Sequence, residues 1–376
     1  MRMKMKFRRI LAVTVSAILI CSMLSGCSKK EDDTQSSTDT EINIEDYLFT
    51  EGADTPIEVT GYKKYSGADA ERFLQAGDKV AVISPSSLPS RAQADAAING
   101  LKEWGYVPVE GKYVCTVDRT LDNCREDLEW ALSDPEIKGI FCVRGGYASC
   151  EVIETMDRKL ISEARKPIIG YSDITACHSA WNSAGVPSIH GSMSAAFTDL
   201  PKECADVEKK MLQGEIPEYK CAGSEYDRQG EAEGILVGGN LTIMTNVMNT
   251  EYDSTKLDQP YILFLEDCEC DYHQVHYSMT VLKNSGALDH AAGIILGEWT
   301  DTDPINGDYT GDSRGGKFRG VYDMLLRQFL KDLDIPIACG FPAGHGEKNY
   351  PLLMGEKVRL SVTQDSFTIE WPDAEN

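Results

Sequence analysis

The sequence predicts an α/β chain, with a parallel-sheet domain followed by a smaller α/β domain. Two observations carry this. Short apolar runs rich in β-branched residues alternate with stretches of helical period. Glycine, serine and charged residues collect in the loops that follow the runs. Continuous apolar runs suit strands buried on both faces. A strand–helix–strand alternation gives a parallel sheet covered on both sides. In such sheets function gathers at the carboxyl ends of the strands.

Residues 80–83 form the first apolar run of the body and end in Ser84-Pro-Ser86. Ala94, Ile98, Leu101 and Trp104 recur at helical spacing, and Gly105 fits the helix stop. Residues 106–109 read as a second strand and 120–132 as a helix with Leu121, Leu128 and Leu132 on one face. Residues 139–143 make a third strand, followed at once by Arg144-Gly-Gly-Tyr147. Residues 151–163 read as helix, 167–169 as a fourth strand, and 186–193 as one more strand with its exit loop. This is the arrangement of a Rossmann- or flavodoxin-like sheet, and we assign it to residues 66–200. Residues 201–229 are polar and irregular, with a helix at 206–213, and read as a linker. The second domain, 230–376, holds strands at 260–265, 292–296 and 335–338, helices at 241–248, 272–285 and 321–333, and a hairpin at 358–371. Residues 301–316 read as a loop rich in Gly, Asp and Thr.

The chain opens differently. Arg2, Lys4, Lys6, Arg8 and Arg9 precede a mostly apolar stretch at 10–24, too short for a comfortable membrane span. It ends in Leu24-Ser25-Gly26-Cys27, which resembles a bacterial lipobox. That resemblance implies a signal peptide at 1–26, lipid attachment at Cys27, and an extracytoplasmic protein anchored to the membrane. Residues 28–40 contain no apolar side chain and predict a disordered tether, within a tether region of 27–65 that packs loosely on the body at its end.

The formal charge is −23, and loss of the leader's five cations takes it to about −28. That excludes nucleic acid, which needs a basic surface, and serves solubility. Ten cysteines follow Cys27, several inside apolar runs. They read as buried thiols, with one or two disulfides open to an exported protein. No C-x-x-C occurs, and His273 and His276 lack a third ligand, so neither metal nor cofactor is expected.

Chemistry is expected at Gly170-Tyr-Ser-Asp-Ile-Thr175. An apolar strand stops, the chain turns, and Ser172 is left at the start of a helix, the grammar of a nucleophile elbow. A plain turn capped by Ser or Asp fits this window equally well. A serine nucleophile needs a base, and His345, between Gly344 and Gly346 after an apolar strand, is the candidate. His190 reads as a cleft-lining residue and His178 as a packing residue. Glu266, set against the apolar residues 261–265, is the candidate orienting carboxylate, with Asp267 its rival. The backbone N–H groups of Asp173 and of Gly145 or Gly146 are candidate oxyanion donors.

Ser84-Pro-Ser86, Arg144-Gly-Gly-Tyr147, Gly170-Tyr-Ser-Asp-Ile-Thr175, His190-Gly191, Gly238-Gly-Asn240, Leu265-Glu-Asp267 and Gly344-His-Gly346 occur in this order. Together, over roughly 77–360, they resemble the LD-carboxypeptidase family of serine peptidases, which includes the microcin C immunity peptidases. The resemblance implies a Ser172–His345–Glu266 triad split between two domains, and Ser84, Ser86, Arg144 and Asn240 as substrate-binding residues. It implies a murein peptide substrate, release of the terminal D-Ala from tetrapeptides through an acyl-enzyme, and a homodimer, which is common in the family. A peptidyl-nucleotide or other amide substrate and a wall-peptide-binding lipoprotein without activity are the alternatives, with an ordinary α/β-hydrolase esterase a further one. Two departures stand out. Ala148 follows Arg144-Gly-Gly-Tyr147 where relatives often have Gly, and Cys268-Glu-Cys-Asp-Tyr-His-Gln-Val-His276, a stretch that should face the substrate, replaces the usual acidic-Tyr-Arg sequence.

Overall fold

Residues 55–300 and 319–374 are described by the structure, a computed structural model. The leader, Cys27, the tether as far as residue 54 and the whole loop expected at 301–316 lie outside the described residues. Among the described residues no helix is long and apolar enough to cross a membrane.

The first sheet has six strands, five from the earlier part of the chain and one from near its end. In chain order its elements are β2 (Lys79–Ile83), α1 (Arg91–Glu103), β3 (Val107–Glu110), α2 (Leu121–Ser133), β4 (Ile137–Cys142), α3 (Ser149–Glu154), α4 (Arg158–Ala164), β5 (Ile168–Gly170), α5 (Thr175–Ser183) and β6 (Ser188–His190), preceded by β1 (Ile57–Lys64) of the other sheet. Strands β2 to β6 are all parallel, as the alternation predicts. The stretch expected as one helix at 151–163 is two, because Asp157 accepts a hydrogen bond from the Lys159 N–H and starts α4 afresh. Capping boxes start α1 at Ser90 and α2 at Thr120.

The remaining elements are α6 (Lys202–Leu212), β7 (Glu215–Ala222), β8 (Gly230–Asn240), α7 (Leu241–Val247), β9 (Tyr261–Cys268), α8 (Tyr272–Asn284), α9 (Ala287–His290), β10 (Ala291–Thr300), α10 (Arg319–Met324), β11 (Ile337–Cys339), β12 (Leu352–Met354), β13 (Lys357–Val362) and β14 (Ser366–Glu370). The second sheet runs β1-β7-β14-β13-β8-β9-β10-β11. Its β8 to β11 half is parallel and its β1 to β13 half antiparallel. Residues 57–64 and 215–222, expected within a tether and a linker, are therefore strands of this sheet. Alternating exposure in β1 leaves one apolar face, too weak a run to separate from a loop by composition.

One strand decides where the site falls. β12 belongs to the second half of the sequence but pairs antiparallel with β6, Leu352 opposite His190. Leu352, Leu353 and Met354 are buried in a core shared with Ile189 of β6 and Phe264 of β9. Burying such side chains contributes about 1.5–3 kcal/mol each. The loop just before β12, which carries His345, is thereby drawn beside the ends of β5 and β6. Separate apolar clusters fill the outer faces of the two sheets. Among the described residues no two cysteines form a disulfide, and most of these thiols are buried.

Candidate active site

Ser172 directly follows β5 and Tyr171, at the start of a short 3-10 turn that runs into α5. Its φ is +63°, the left-handed region that non-glycine residues seldom occupy. Strain of this kind collects where function needs a side chain held proud of the backbone. The elbow is fastened from below. Asp173 Oδ2 accepts the Ser86 hydroxyl at 2.5 Å and the Ser149 N–H at 2.9 Å. His178, fully buried on α5, contacts the Gly170 carbonyl through Nε2 at 2.8 Å, and burial brings its pKa down to about 4.

Gly145 faces the serine. A β-carbon there would lie 2.9 Å from Ser172 Cβ, 3.1 Å from Ser172 Oγ and 3.4 Å from the Asp173 nitrogen. Only glycine fits so close an approach. The same loop is anchored by the Tyr147 N–H, which donates to Ser87 Oγ at 3.0 Å. Ala148 sits in this turn with φ +105°.

The other side of the cleft comes from β8, β9 and the loop after β11. Asn240 and Glu266 are register partners at the ends of β8 and β9. The Asn240 N–H donates to Thr175 Oγ1 at 2.9 Å, which docks β8 on the first residue of α5. Glu266 has no exposure, and His345 Nδ1 lies 2.8 Å from its Oε2. A carboxylate only accepts, so Nδ1 carries the proton and Nε2 is the nitrogen left to act as a base. Gly344 makes this contact possible: its φ is +128°, and a β-carbon would fall 2.8 Å from Glu266 Oε2. Burial alone would lower the His345 pKa. The Glu266 carboxylate, which accepts from the imidazole, outweighs it and, with the neighbouring Cys268 sulfur, holds it well above its ordinary value.

Asp267 is not an equivalent partner for the base. Its Oδ1 accepts from Asn240 Nδ2 at 2.9 Å, and its Oδ2 accepts the Thr242 N–H at 3.0 Å and hydroxyl at 2.8 Å. Burial and then Glu266 push its pKa up to about 6. Alternation along β9 sends the two acids to different tasks.

Ser172, His345, Gly145, Gly146, Arg144 and Asn240 line one cavity of about 460 Å³, together with Cys268. The Ser172 hydroxyl makes no hydrogen bond to another described residue, and the His345 ring is held by Glu266, with Cys268 beside it. Ser84 and Ser86, expected at the substrate, do not line the cavity. Ser84 donates to the Ser87 carbonyl at 2.9 Å, Ser86 holds Asp173, and both are buried. Polar side chains after a strand serve a buried network as readily as a ligand, and Asp173 supplies the partner here. His190 lies behind the cleft wall, fully buried, with Tyr171 between it and the His345 ring. Asn240 spends its amide on Asp267 and on capping α7 through the Ile243 N–H. Cys268, Glu269 and Gln274 of the departing stretch line the cavity as expected, whereas Tyr171 is a cavity residue with no spacing signal to mark it.

A two-domain α/β scaffold with a strained serine on an elbow and a carboxylate-bound histidine lining the same cavity fits the class of serine peptidases. The comparisons with known proteins narrow it. Residues 80–191 match the model of the LD-carboxypeptidase N-terminal domain and residues 233–360 that of the C-terminal domain. A protein of Synechocystis sp. named as a carboxypeptidase is 31% identical over 295 residues, covering 76% of this chain and 92% of its own length. The murein tetrapeptide carboxypeptidase of Pseudomonas aeruginosa is 26% identical over 289 residues, 72% of this chain and 89% of its own. Among solved structures, the muramoyltetrapeptide carboxypeptidase of Oxalobacter formigenes superposes with a TM-score of 0.67 at 22% identity, covering 79% of this chain and 100% of that one. MccF bound to glutamyl sulfamoyl guanosine superposes with a TM-score of 0.65 at 20% identity, covering 80% and 98%. The chain belongs to the LD-carboxypeptidase family.

Proposed function

We propose that this serine peptidase releases the terminal D-Ala from murein tetrapeptides through a Ser172–His345–Glu266 triad. The observation that supports it most is the His345–Glu266 bond at 2.8 Å in the cavity that also holds the strained Ser172. His345 Nε2 takes the Ser172 proton as Oγ attacks the carbonyl between the L-centre of the diamino acid and D-Ala. The N–H groups of Asp173 and of Gly145 or Gly146 receive the developing oxyanion. His345 returns its proton to the leaving amine, and water then releases the acyl group from Ser172. Hydrogen bonds of resting catalytic groups often tighten only with substrate bound, so the open Ser172 hydroxyl fits this scheme.

Arg144 supplies a reason for carboxypeptidase action. It is the one guanidinium or ammonium group lining the cavity among the described residues. A substrate that ends beside the scissile bond brings a free carboxylate, which an Arg fork recognises. The test is a cleavage panel of tripeptide, tetrapeptide, pentapeptide and a peptidyl-nucleotide amide. Loss of one alanine from the tetrapeptide alone supports the reading, and hydrolysis of the nucleotide conjugate alone replaces it with an immunity peptidase.

The reading places the enzyme outside the cytoplasm, tethered through lipid on Cys27 and acting on the wall. The lipobox-like Leu24-Ser25-Gly26-Cys27 supports this. Cys27→Ser should move the protein from the membrane fraction to the soluble one, and an unchanged distribution would refute anchoring.

A further inference from the structure

Several buried polar groups below the base loop have no part in the reaction just described. Asn349, four residues past His345, is 1% exposed. Its Oδ1 accepts the Gly344 N–H at 3.1 Å, while its Nδ2 meets no partner. Glu208 of α6 is 0% exposed. Its Oε2 accepts the Ser192 N–H at 2.7 Å, while its Oε1 meets none. Both ring nitrogens of buried His190 are likewise without partners.

These groups belong to one region. The Asn349 backbone lies beside the Cys204 thiol, and Cys204 lies one turn before Glu208 on the same face of α6. Lys348 pairs with Glu203 of the same helix at 3.2 Å. Glu208 is near enough to act on Tyr171, whose ring centroid lies 5.0 Å from that of His345. His345 in turn acts on His190. Burial pushes the Glu208 carboxyl up to about 8, so at neutral pH it carries a proton that needs an acceptor.

A buried donor or acceptor without a partner is costly, and native proteins fill such positions with internal water that makes about three hydrogen bonds. Asn349 Nδ2 supplies donors and Glu208 Oε1 a further polar site in a region walled by α6, β6 and the base loop. We propose that Asn349 is the positioning residue of the catalytic base: it holds the Gly344–His345 backbone through Oδ1, and is itself held by α6 through Glu208 and bound internal water. The fold requires such a brace. Gly344 is in a left-handed conformation, so the loop does not hold its own geometry, and the Nδ1 contact to Glu266 fixes only the far end of the side chain.

This inference rests on His345 being the base, and the experiment separates the two claims. A fluorophosphonate probe is used to label Ser172 in the full chain, and kcat and KM are measured on tetrapeptide across pH. Wild-type protein that neither labels nor releases D-Ala overturns the triad itself. With an active wild type, Asn349→Leu should slow labelling at least tenfold and lower kcat by a similar factor with KM nearly unchanged. It should also displace the acidic limb of the pH profile. Asn349→Asp keeps an acceptor for the Gly344 N–H and should restore most of the rate. Glu208→Leu should give a milder form of the Asn349→Leu effect, and Glu208→Gln should not. Asn349→Leu that unfolds at the wild-type temperature yet keeps rate and profile overturns the positioning role. So does an Asn349→Asp variant no better than Asn349→Leu.

Discussion

His345 Nδ1 stands 2.8 Å from Oε2 of Glu266, a carboxylate with no solvent exposure. The pair crosses from the loop after β11 to the end of β9, so the imidazole is oriented by the second sheet while Ser172 belongs to the first. The site is completed only because β12 returns to pair with β6.

The first prediction concerns pH. Only a neutral imidazole can take the Ser172 proton, and Glu266 stabilises the charged form. The acidic limb of kcat/KM should therefore lie above the ordinary histidine value of about 6.5. Glu266→Gln removes that stabilisation, so the limb should move to lower pH, with kcat reduced about 10³-fold or more. A pH–rate series on both proteins checks this, and coincident limbs would count against the pair.

Gly145→Ala should abolish most activity without unfolding the protein. The new methyl would meet Ser172 Cβ at 2.9 Å and Oγ at 3.1 Å, so serine or loop must shift. Displacement of this size costs on the order of 10²-fold in rate. Steady-state rates beside a thermal melt make the comparison, and a fully active variant would show that this face of Ser172 is not used.

Ala148 offers the opposite case. Its φ of +105° is one that glycine adopts freely and alanine does not. Ala148→Gly should stabilise the protein by about 1 kcal/mol, the relieved strain exceeding the entropy that glycine adds to the unfolded chain. A denaturant titration reads the difference, and a destabilised variant would mean the turn bears no strain.

Glu208 makes stability depend on pH. Its folded value of about 8 lies above the unfolded value of about 4.5. The folded chain keeps a proton that the unfolded chain releases, so this contribution is complete below about pH 4.5 and is lost as pH rises through about 8. Glu208→Gln keeps the shape and removes the titration. Its denaturation midpoint should gain on the wild type between pH 5 and 9, and parallel midpoints would refute a buried acid.

The parallel core was legible because β2, β4 and β5 are continuous apolar runs and α1 and α2 carry period and caps. Ser172, His345 and Glu266 could be picked out as a strand-end serine, a glycine-flanked histidine and an acid against an apolar run. β1, β7 and β12 were not legible. β1 shows only half-buried alternation, and β12 is three residues whose strand character comes from pairing with β6. The roles of Ser86, Asn349 and Glu208 were hidden for a related reason. Their partners Asp173, Gly344 and Ser192 lie 87, 5 and 16 positions away, and nothing local marks a polar residue as buried.

The most direct test is mass spectrometry of murein tetrapeptide incubated with purified wild-type protein and with Ser172→Ala. The account predicts loss of one alanine with the wild type and intact tetrapeptide with the variant. Equal release by both proteins would contradict Ser172 as the nucleophile, and no release by either would contradict the substrate.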